Sequence, residues 1–311
     1  MIVLSYTLFF AVVLSLVALG GMFSEHSGVI NLGLEGTMVI GALGGALVLH
    51  YMPADANGFL IVFLSLLAAM AAGAIYSLLL ALAAVTFKAD QTISGTALNI
   101  LAPALATVIV KAITLKETGK ASPYLYYVEQ RTHFIFNWGD LELSWFVVLG
   151  ILAVVISYFV LYKTRFGLRL MACGEHPSAA DAAGINVTKM RYTGVIISGV
   201  LGGLGGFAYI AGKTSQWPFD MGVAGFGFLA LAVMIFGQWK PFFIFGGSVI
   251  FALFRTMAVV YNVIPGIKNL PLTSEYYQML PYLVCLIVLA FTSKKSRAPK
   301  MEGIPYDKGM R

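Results

Sequence analysis

Asn31 and Glu35 stand in Gly28-Val29-Ile30-Asn31-Leu32-Gly33-Leu34-Glu35-Gly36-Thr37-Met38, an apolar run broken by an amide, a carboxylate and three glycines. A carboxylate at membrane depth costs at least ~2.5 kcal/mol on insertion scales, so such a group faces a partner, a cavity or a transport path. Glycines beside it permit a broken or closely packed helix. Two readings stand: a half-helix lining a polar pathway, or a glycine-rich packing seam in which Glu35 caps a helix near the interface. A second polar group opens at Gln91 and carries Thr92, Ser94, Thr96 and Asn99. Ser94, Thr96 and Asn99, with Asn31, have the hydroxyls and amides to bond an uncharged, hydroxylated solute; hydrogen bonding between helices is the other use of such groups. Phe226 and Phe228, in Gly225-Phe226-Gly227-Phe228, place two rings at a span entrance, suited to stacking on a flat base or to packing against lipid and core. Arg255 lies inside an apolar run and must snorkel outward or meet an acid, Glu35 being one candidate.

Other chemistries lack their residues. Gly212-Lys213-Thr214 resembles the end of a P-loop, but the required earlier glycine is replaced by Phe207. Gly202 to Gly206 does not complete a dinucleotide fingerprint. His26, His50, His133 and His176 fall in loops or at span ends without metal-site spacing, and read as solvated. Cys173 and Cys285 suggest neither a disulfide framework nor a redox centre. The chain is therefore expected to be non-catalytic, with no metal or cofactor of its own.

These residues are set in a chain of 311 residues that is 59% hydrophobic and 11% charged, with a mean hydropathy of +0.86. Soluble domains carry roughly a quarter charged residues. The expected fold is an all-α polytopic bundle, with spans at about 2–22, 29–50, 58–87, 92–113, 143–163, 191–212, 222–238, 241–263 and 277–293, each long enough for a ~30 Å hydrocarbon core. The first run lacks a positive n-region and reads as a retained span. The third is long enough to be tilted or broken near Gly73. Residues 1–293 make the membrane domain and 294–311 a basic tail, read as mobile on the membrane surface.

The net charge of +6 invites a nucleic-acid partner, but the basic residues lie in loops and the tail and set topology instead. Lys163, Arg165, Arg169, Lys189 and Arg191 form one cluster and Lys294, Lys295, Arg297 and Lys300 another. Both are expected on the cytoplasmic side, with the amino terminus outside. The long segment at about 114–142 then lies outside; its Tyr124, Tyr126, Tyr127, Phe134, Phe136 and Trp138 suit an interfacial aromatic belt or an external partner. Small residues recur at helical spacing in Gly33, Thr37, Gly41 and Gly45, and in Ser198, Gly202 and Gly206 with Gly199 and Gly203, which lets backbones approach closely. Gly28-Val-Ile-Asn-Leu-Gly33 and Gly222-Val-Ala-Gly-Phe-Gly227 open spans of opposite direction, as an inverted repeat or chance would give.

The cytoplasmic loop Gly174-Glu175-His176-Pro177-Ser178-Ala179-Ala180-Asp181-Ala182-Ala183-Gly184-Ile185-Asn186 predicts a short helix, started by Pro177, favoured by its alanines and stopped at Gly184. Such a helix is small-sided enough to dock in a partner's groove; a plain helical linker is the other reading. Glu175 and Asp181 there suit surface ion pairs.

Three stretches, residues 27–36, 92–99 and 174–186, resemble permease subunits of ABC importers of the branched-chain amino acid and simple-sugar superfamily. The first is most similar to the nucleoside (Bmp-type) permeases, and residues 225–237 also fit. The resemblance implies a bacterial inner-membrane subunit, the shorter of two permeases, working with a tandem ATPase that binds ATP and Mg and with an external solute-binding lipoprotein. It implies that Glu175, Ala179, Ala180, Asp181, Gly184 and Ile185 belong to the helix that couples to the ATPase. Asn31, Glu35, Ser94 and Asn99 would lie near the translocation path, joined on residue chemistry by Thr96, Phe226 and Phe228. A sugar permease is the near alternative; a self-contained secondary transporter or channel would need an ion site, for which Glu35 is the acidic candidate.

Overall fold

An all-α bundle surrounds two antiparallel helices, α1 (Ile2–His26) and α8 (Val187–Ala211). Apolar on all sides, α1 is buried from Phe9 to Glu25, the pattern of a central helix. Gly194 of α8 lies against Phe23 and Ser27, Gly20 against Ser198 and Gly202, and Gly212 against Phe9, which fixes the opposite directions. The computed structural model describes residues 1–53, 56–127, 133–138, 141–212, 216–261, 274–292 and 297–308.

Around this centre stand α2 (Leu34–Tyr51), α3 (Gly58–Ala81), α4 (Gln91–Thr118), α5 (Trp145–Lys163), α9 (Phe226–Phe236), α10 (Pro241–Val260) and α11 (Ser274–Thr292). Seven helices among the described residues are long and apolar enough to cross a membrane: α1 to α5, α8 and α10, with α3 counted together with the turn that follows it. Phe59, Phe63, Ile75, Ile93, Ile100, Phe159 and Phe243 expose apolar surface outward, which water would penalise and lipid would not. The chain is a multi-pass membrane protein.

The spans expected at 58–87, 92–113, 143–163, 191–212 and 241–263 coincide with helices to within a few residues. Three differences have local causes. Helix α3 runs unbroken through Gly73, whose missing side chain admits the backbone of Gly199 and Gly203; α3 ends instead in a π-helical turn, Leu82–Thr86. Residues 28–33 are not helical, so α2 starts at Leu34. The segment expected as a span at 222–238 holds only the 11-residue α9, about 16 Å at 1.5 Å per residue.

The glycine rows pack as their spacing predicts. A Cβ at Gly41 would overlap the Cα of Gly203, and one at Gly206 the backbone of Met38. Gly41→Val is therefore expected to force α2 off α8 and destabilise the purified protein by about 1–3 kcal/mol or more, the usual cost of overpacking. Gly246→Ala, where a Cβ meets nothing within 4 Å, serves as the matched control. A thermal-stability series in detergent checks this; equal midpoints for the two variants would contradict it.

Strands β1 (Tyr124–Tyr126) and β4 (Gln216–Pro218) pair antiparallel, as do β2 (Ile135–Trp138) and β3 (Leu141–Ser144). The aromatic segment is thus partly packed into the bundle and not simply a belt. Tyr127 and Phe134 are buried, the Tyr127 hydroxyl donating to the Ile210 carbonyl at 3.3 Å and Phe134 stacking on Phe146 at 5.2 Å. Tyr124 and Tyr126 stay exposed. The side chain of Trp138 lies outside the described residues, as do Lys213, Thr214, Lys294, Lys295 and the side chain of Cys285.

The tail, expected to be mobile, is packed over residues 297–308. Pro299 is buried, the Met301 amide donates to the Gly174 carbonyl at 2.9 Å, and the Gly303 amide to the Gly28 carbonyl at 3.2 Å.

Candidate functional site

Glycine makes the break that starts α9. After the 3-10 turn Phe219–Met221, Gly222 and Gly225 adopt φ of +61° and +78°, a left-handed region that other residues enter at a cost. The chain turns there and α9 begins inside the bundle: Phe226 packs against Phe10 of α1 at 5.5 Å and Tyr209 of α8 at 4.5 Å between ring centroids.

Glu35, in the first turn of α2, caps this second helix. Its Oε1 accepts the Gly225 amide at 2.8 Å and its Oε2 the Gly227 amide at 2.6 Å. A carboxylate at a helix amino end meets unpaired amides and the positive end of the helix dipole, which offsets its desolvation. A Cβ at Gly227 would collide with the Glu35 backbone, so only glycine lets the two helix starts touch. Glu35 caps a helix, as one reading expected, but the capped helix is the short α9 inside the bundle and not one near the interface.

Asn99 and Asn31 fix the head of α2. The Asn99 amide donates to the Leu32 carbonyl at 2.7 Å and its Oδ1 accepts the Gly36 amide at 2.8 Å, tying α4 to both sides of the bend. Asn31 is fully buried and donates to the Ser198 hydroxyl at 2.8 Å. Ser94 and Thr96 do not join them: each hydroxyl bonds its own helix backbone, Ser94 to Asp90 at 2.7 Å and Thr96 to Thr92 and Ile93 at 2.9 Å. Asn99→Leu keeps volume and removes both bonds. It is expected to cost about 1–3 kcal/mol, readable in thermal midpoint, because two partly buried backbone groups lose their partner.

Arg255 meets aromatic and phenolic groups and not, among the bonds described, Glu35. Its guanidinium lies 5.2 Å over the Phe226 ring, near the hydroxyls of Tyr209 and Tyr282. Tyr209 also meets Trp217 edge-on at 5.3 Å, and Trp217 donates to the Gly222 carbonyl at 2.9 Å. Phe226 is buried, whereas Phe228 is 47% exposed. One carboxylate, one guanidinium, two phenols and three rings thus meet beside a helix break, and the rings and hydroxyls together suit a flat, hydroxylated solute. Tyr209, Trp217 and Tyr282 were not singled out by the sequence; a hydroxyl in the small-residue, apolar run around Tyr209 was the available signal.

A second candidate surface lies at the far end of α1 and α8. Helix α6 (Arg165–Glu175), which the sequence did not suggest, is capped by Thr164, and α7 (Pro177–Ala182) starts at Pro177 as expected. Gly184 follows at φ +81°. Ala180 is buried with Cys173 and Val187, against Ile185 and Tyr306, so it is a core residue and not part of a docking face. Ser178, Ala179, Ala182, Ala183 and Gly184 are exposed and form a small-sided surface. Glu175 is half-buried and Asp181 pairs with Lys308 at 3.4 Å. Burial pushes the Cys173 thiol up to about 11, well above its ordinary range.

His26 and His50 are less solvated than expected, His26 bonding the Trp239 carbonyl at 3.2 Å and His50 meeting Glu117 at 3.0 Å, whereas His176 is exposed. Among the described residues no three His, Cys, Asp or Glu gather as a metal site would require.

The family described as branched-chain amino acid transport system / permease component matches residues 3–289. The chain is 41% identical to the guanosine ABC transporter permease protein NupQ of Bacillus subtilis, over 100% of this chain and 98% of that protein. It is 39% identical to the nucleoside ABC transporter permease protein NupC of Lactococcus lactis, over 99% and 97% of the two chains. The guanosine ABC transporter permease protein NupP of B. subtilis is 23% identical over 87% of this chain and 75% of its own length. No solved structure matches the chain.

Proposed function

The chain belongs to the family of permease components of branched-chain amino acid transport systems, and from that membership we propose that it is a permease subunit of an ATP-driven nucleoside importer. The observation that carries the solute class is whole-length likeness to two nucleoside permeases. The aromatic and phenolic cluster at the start of α9 supports it chemically, since a nucleoside offers one flat base and several hydroxyls.

In this reading the solute passes Glu35, Phe226, Tyr209, Arg255 and Tyr282, with Asn31 and Asn99 holding the bend beside them. Glu35 joins the two helix starts, so outward and inward opening move them together, and the breaks at residues 28–33 and 222–225 are the hinges. The chain crosses the bacterial inner membrane nine times, counting α11 and, as one broken crossing, the segment from the 3-10 turn through α9, with the amino terminus outside. The opposite directions of α1 and α8, each followed by a glycine break, support an inverted repeat. Residues 1–293 form the permease domain and 294–311 a cytoplasmic tail.

Energy comes from a separate tandem ATPase, which binds ATP and Mg and docks on α7; this subunit is not itself an enzyme. NupQ and NupP share an organism and a solute in their names, which supports a second, longer permease as partner. An external solute-binding lipoprotein delivers the solute. The test is uptake of labelled uridine, adenosine and ribose by cells with and without the chain, each with vanadate and with a protonophore. Chain-dependent, vanadate-sensitive nucleoside uptake that survives the protonophore is expected. Uptake of ribose alone would move the chain to the sugar permeases, and protonophore-sensitive, vanadate-resistant uptake would replace the importer with a secondary transporter.

A further inference from the structure

Residues 297–308 touch α6, α7, α8, the Gly28 bend and the Lys88 turn. The Met301 amide bonds the end of α6 at the Gly174 carbonyl, and the Gly303 amide bonds Gly28, where the bend before α2 begins. Tyr306 packs on the cluster of Cys173, Ala180 and Val187 that seats α7, and Lys308 pairs with Asp181 of α7 at 3.4 Å. Asp307 pairs with Lys88, between α3 and α4, at 2.6 Å. Arg191 of α8, 1% exposed, donates from Nη1 to the Ile304 carbonyl at 2.9 Å.

The two ion pairs reach solvent and contribute about 0–1 kcal/mol each, so they set register more than they hold the segment. The backbone bonds hold it, and the Arg191 bond to Ile304 sets its position. Yet Arg191 is buried with Nε and Nη2 unpaired among the described residues, and a buried guanidinium so poorly satisfied favours release into water. Docking thus sets favourable contacts against desolvation of a cation. Gly303, at φ +76°, lies against Ile30, and a Cβ there would come 2.7 Å from the Ile30 Cδ1.

We propose that residues 297–308 are a releasable strap that carries displacement of α6 and α7 into the Gly28 bend, and so to Asn31, Glu35 and the start of α9, with Arg191 as its positioning residue. The inference rests on α7 being the ATPase-coupling helix. The strap adds a second link beside the direct packing of Gly174 on His26: one segment bonds both Gly174 beside α7 and Gly28 ahead of α2, three residues before Asn31.

The test uses the assembled importer carrying Cys285→Ser, which leaves Cys173 as the reporter thiol beneath Tyr306. Gly303→Val is expected to undock the strap, raising the rate of Cys173 maleimide labelling ~10-fold or more as the buried thiol opens. It should also lower uptake per ATP hydrolysed about fivefold or more, within the usual range of coupling between sites. Arg191→Met should keep the strap docked, since it removes the desolvated charge, and leave labelling slow while blunting the uptake response to ATP. Faster labelling with uptake per ATP unchanged would overturn the proposal. If neither Gly303→Val nor removal of residues 298–311 speeds labelling, the docked strap itself is refuted. Failure of the α7 reading shows separately, as an ATPase that still couples fully when Ala179 and Ala183 are made bulky.

Discussion

Glu35→Ala is expected to abolish nucleoside uptake, a fall of about tenfold or more, while the chain still inserts and reaches the membrane. The variant removes two charge-assisted bonds, to Gly225 and Gly227, each worth about 1.5–3 kcal/mol, and leaves the amino end of α9 uncapped inside the bundle. The Gly225 and Gly227 amides then lose the acceptor that links the two helix starts. Glu35→Gln keeps the shape and one acceptor but loses the charge that answers the helix dipole, so it should fall between wild type and alanine. A carboxylate serving as a proton carrier predicts something else: with Gln, uptake would lose its pH dependence and no longer need the ATPase. Uptake by the alanine variant equal to wild type would show that the bond between the two helix starts is not part of transport. The same two variants separate packing from path, because a merely structural cap lowers thermal stability in proportion to transport, whereas a moving contact lowers transport more.

Glu35 and Asn99 were legible because a carboxylate and an amide in an apolar run must have partners. Their partners were not legible. Glu35 bonds backbone amides 190 and 192 residues away, and a main-chain donor leaves no mark in sequence beyond the glycines that expose it. Ser94 and Thr96 show the converse failure: a hydroxyl that bonds its own preceding turn has the same sequence signature as one that meets a solute. The short α9 was hidden by composition, since Phe226 to Phe236 and its flanks are apolar enough to read as a full span, and only Gly222 and Gly225 record the break. The strap was hidden by charge. Lysines and prolines in residues 297–308 read as solvated tail, but what docks it is largely main chain, with Tyr306 and the carbonyl that Arg191 seeks. Pro177 and Gly184, by contrast, named the start and stop of α7 directly, because proline and glycine act through local backbone geometry that no distant contact need supply.

Bulk on the exposed face of α7 should uncouple transport without unfolding the subunit. Ala179 and Ala183 are exposed, so the bulk added by Ala179→Trp and Ala183→Arg has solvent to enter, and a loss of uptake at an unchanged thermal midpoint points to a partner. Nucleoside uptake is expected to fall about tenfold or more, as a small-residue contact with another chain is overfilled, with expression and thermal midpoint near wild type. Gly184 adds a backbone control. At φ +81° with open space around it, Gly184→Asn tolerates the left-handed conformation, whereas Gly184→Val strains it by roughly 1–2 kcal/mol. If docking alone matters, both Gly184 variants impair uptake; if the turn alone matters, only valine does. Ala180→Trp belongs to a different class, since Ala180 is sealed against Cys173 and Val187, and its expected signature is faster Cys173 labelling together with a lowered thermal midpoint. Full uptake by Ala179→Trp and Ala183→Arg together would remove α7 as the coupling surface, because no groove built to hold two alanines also holds an indole and a guanidinium.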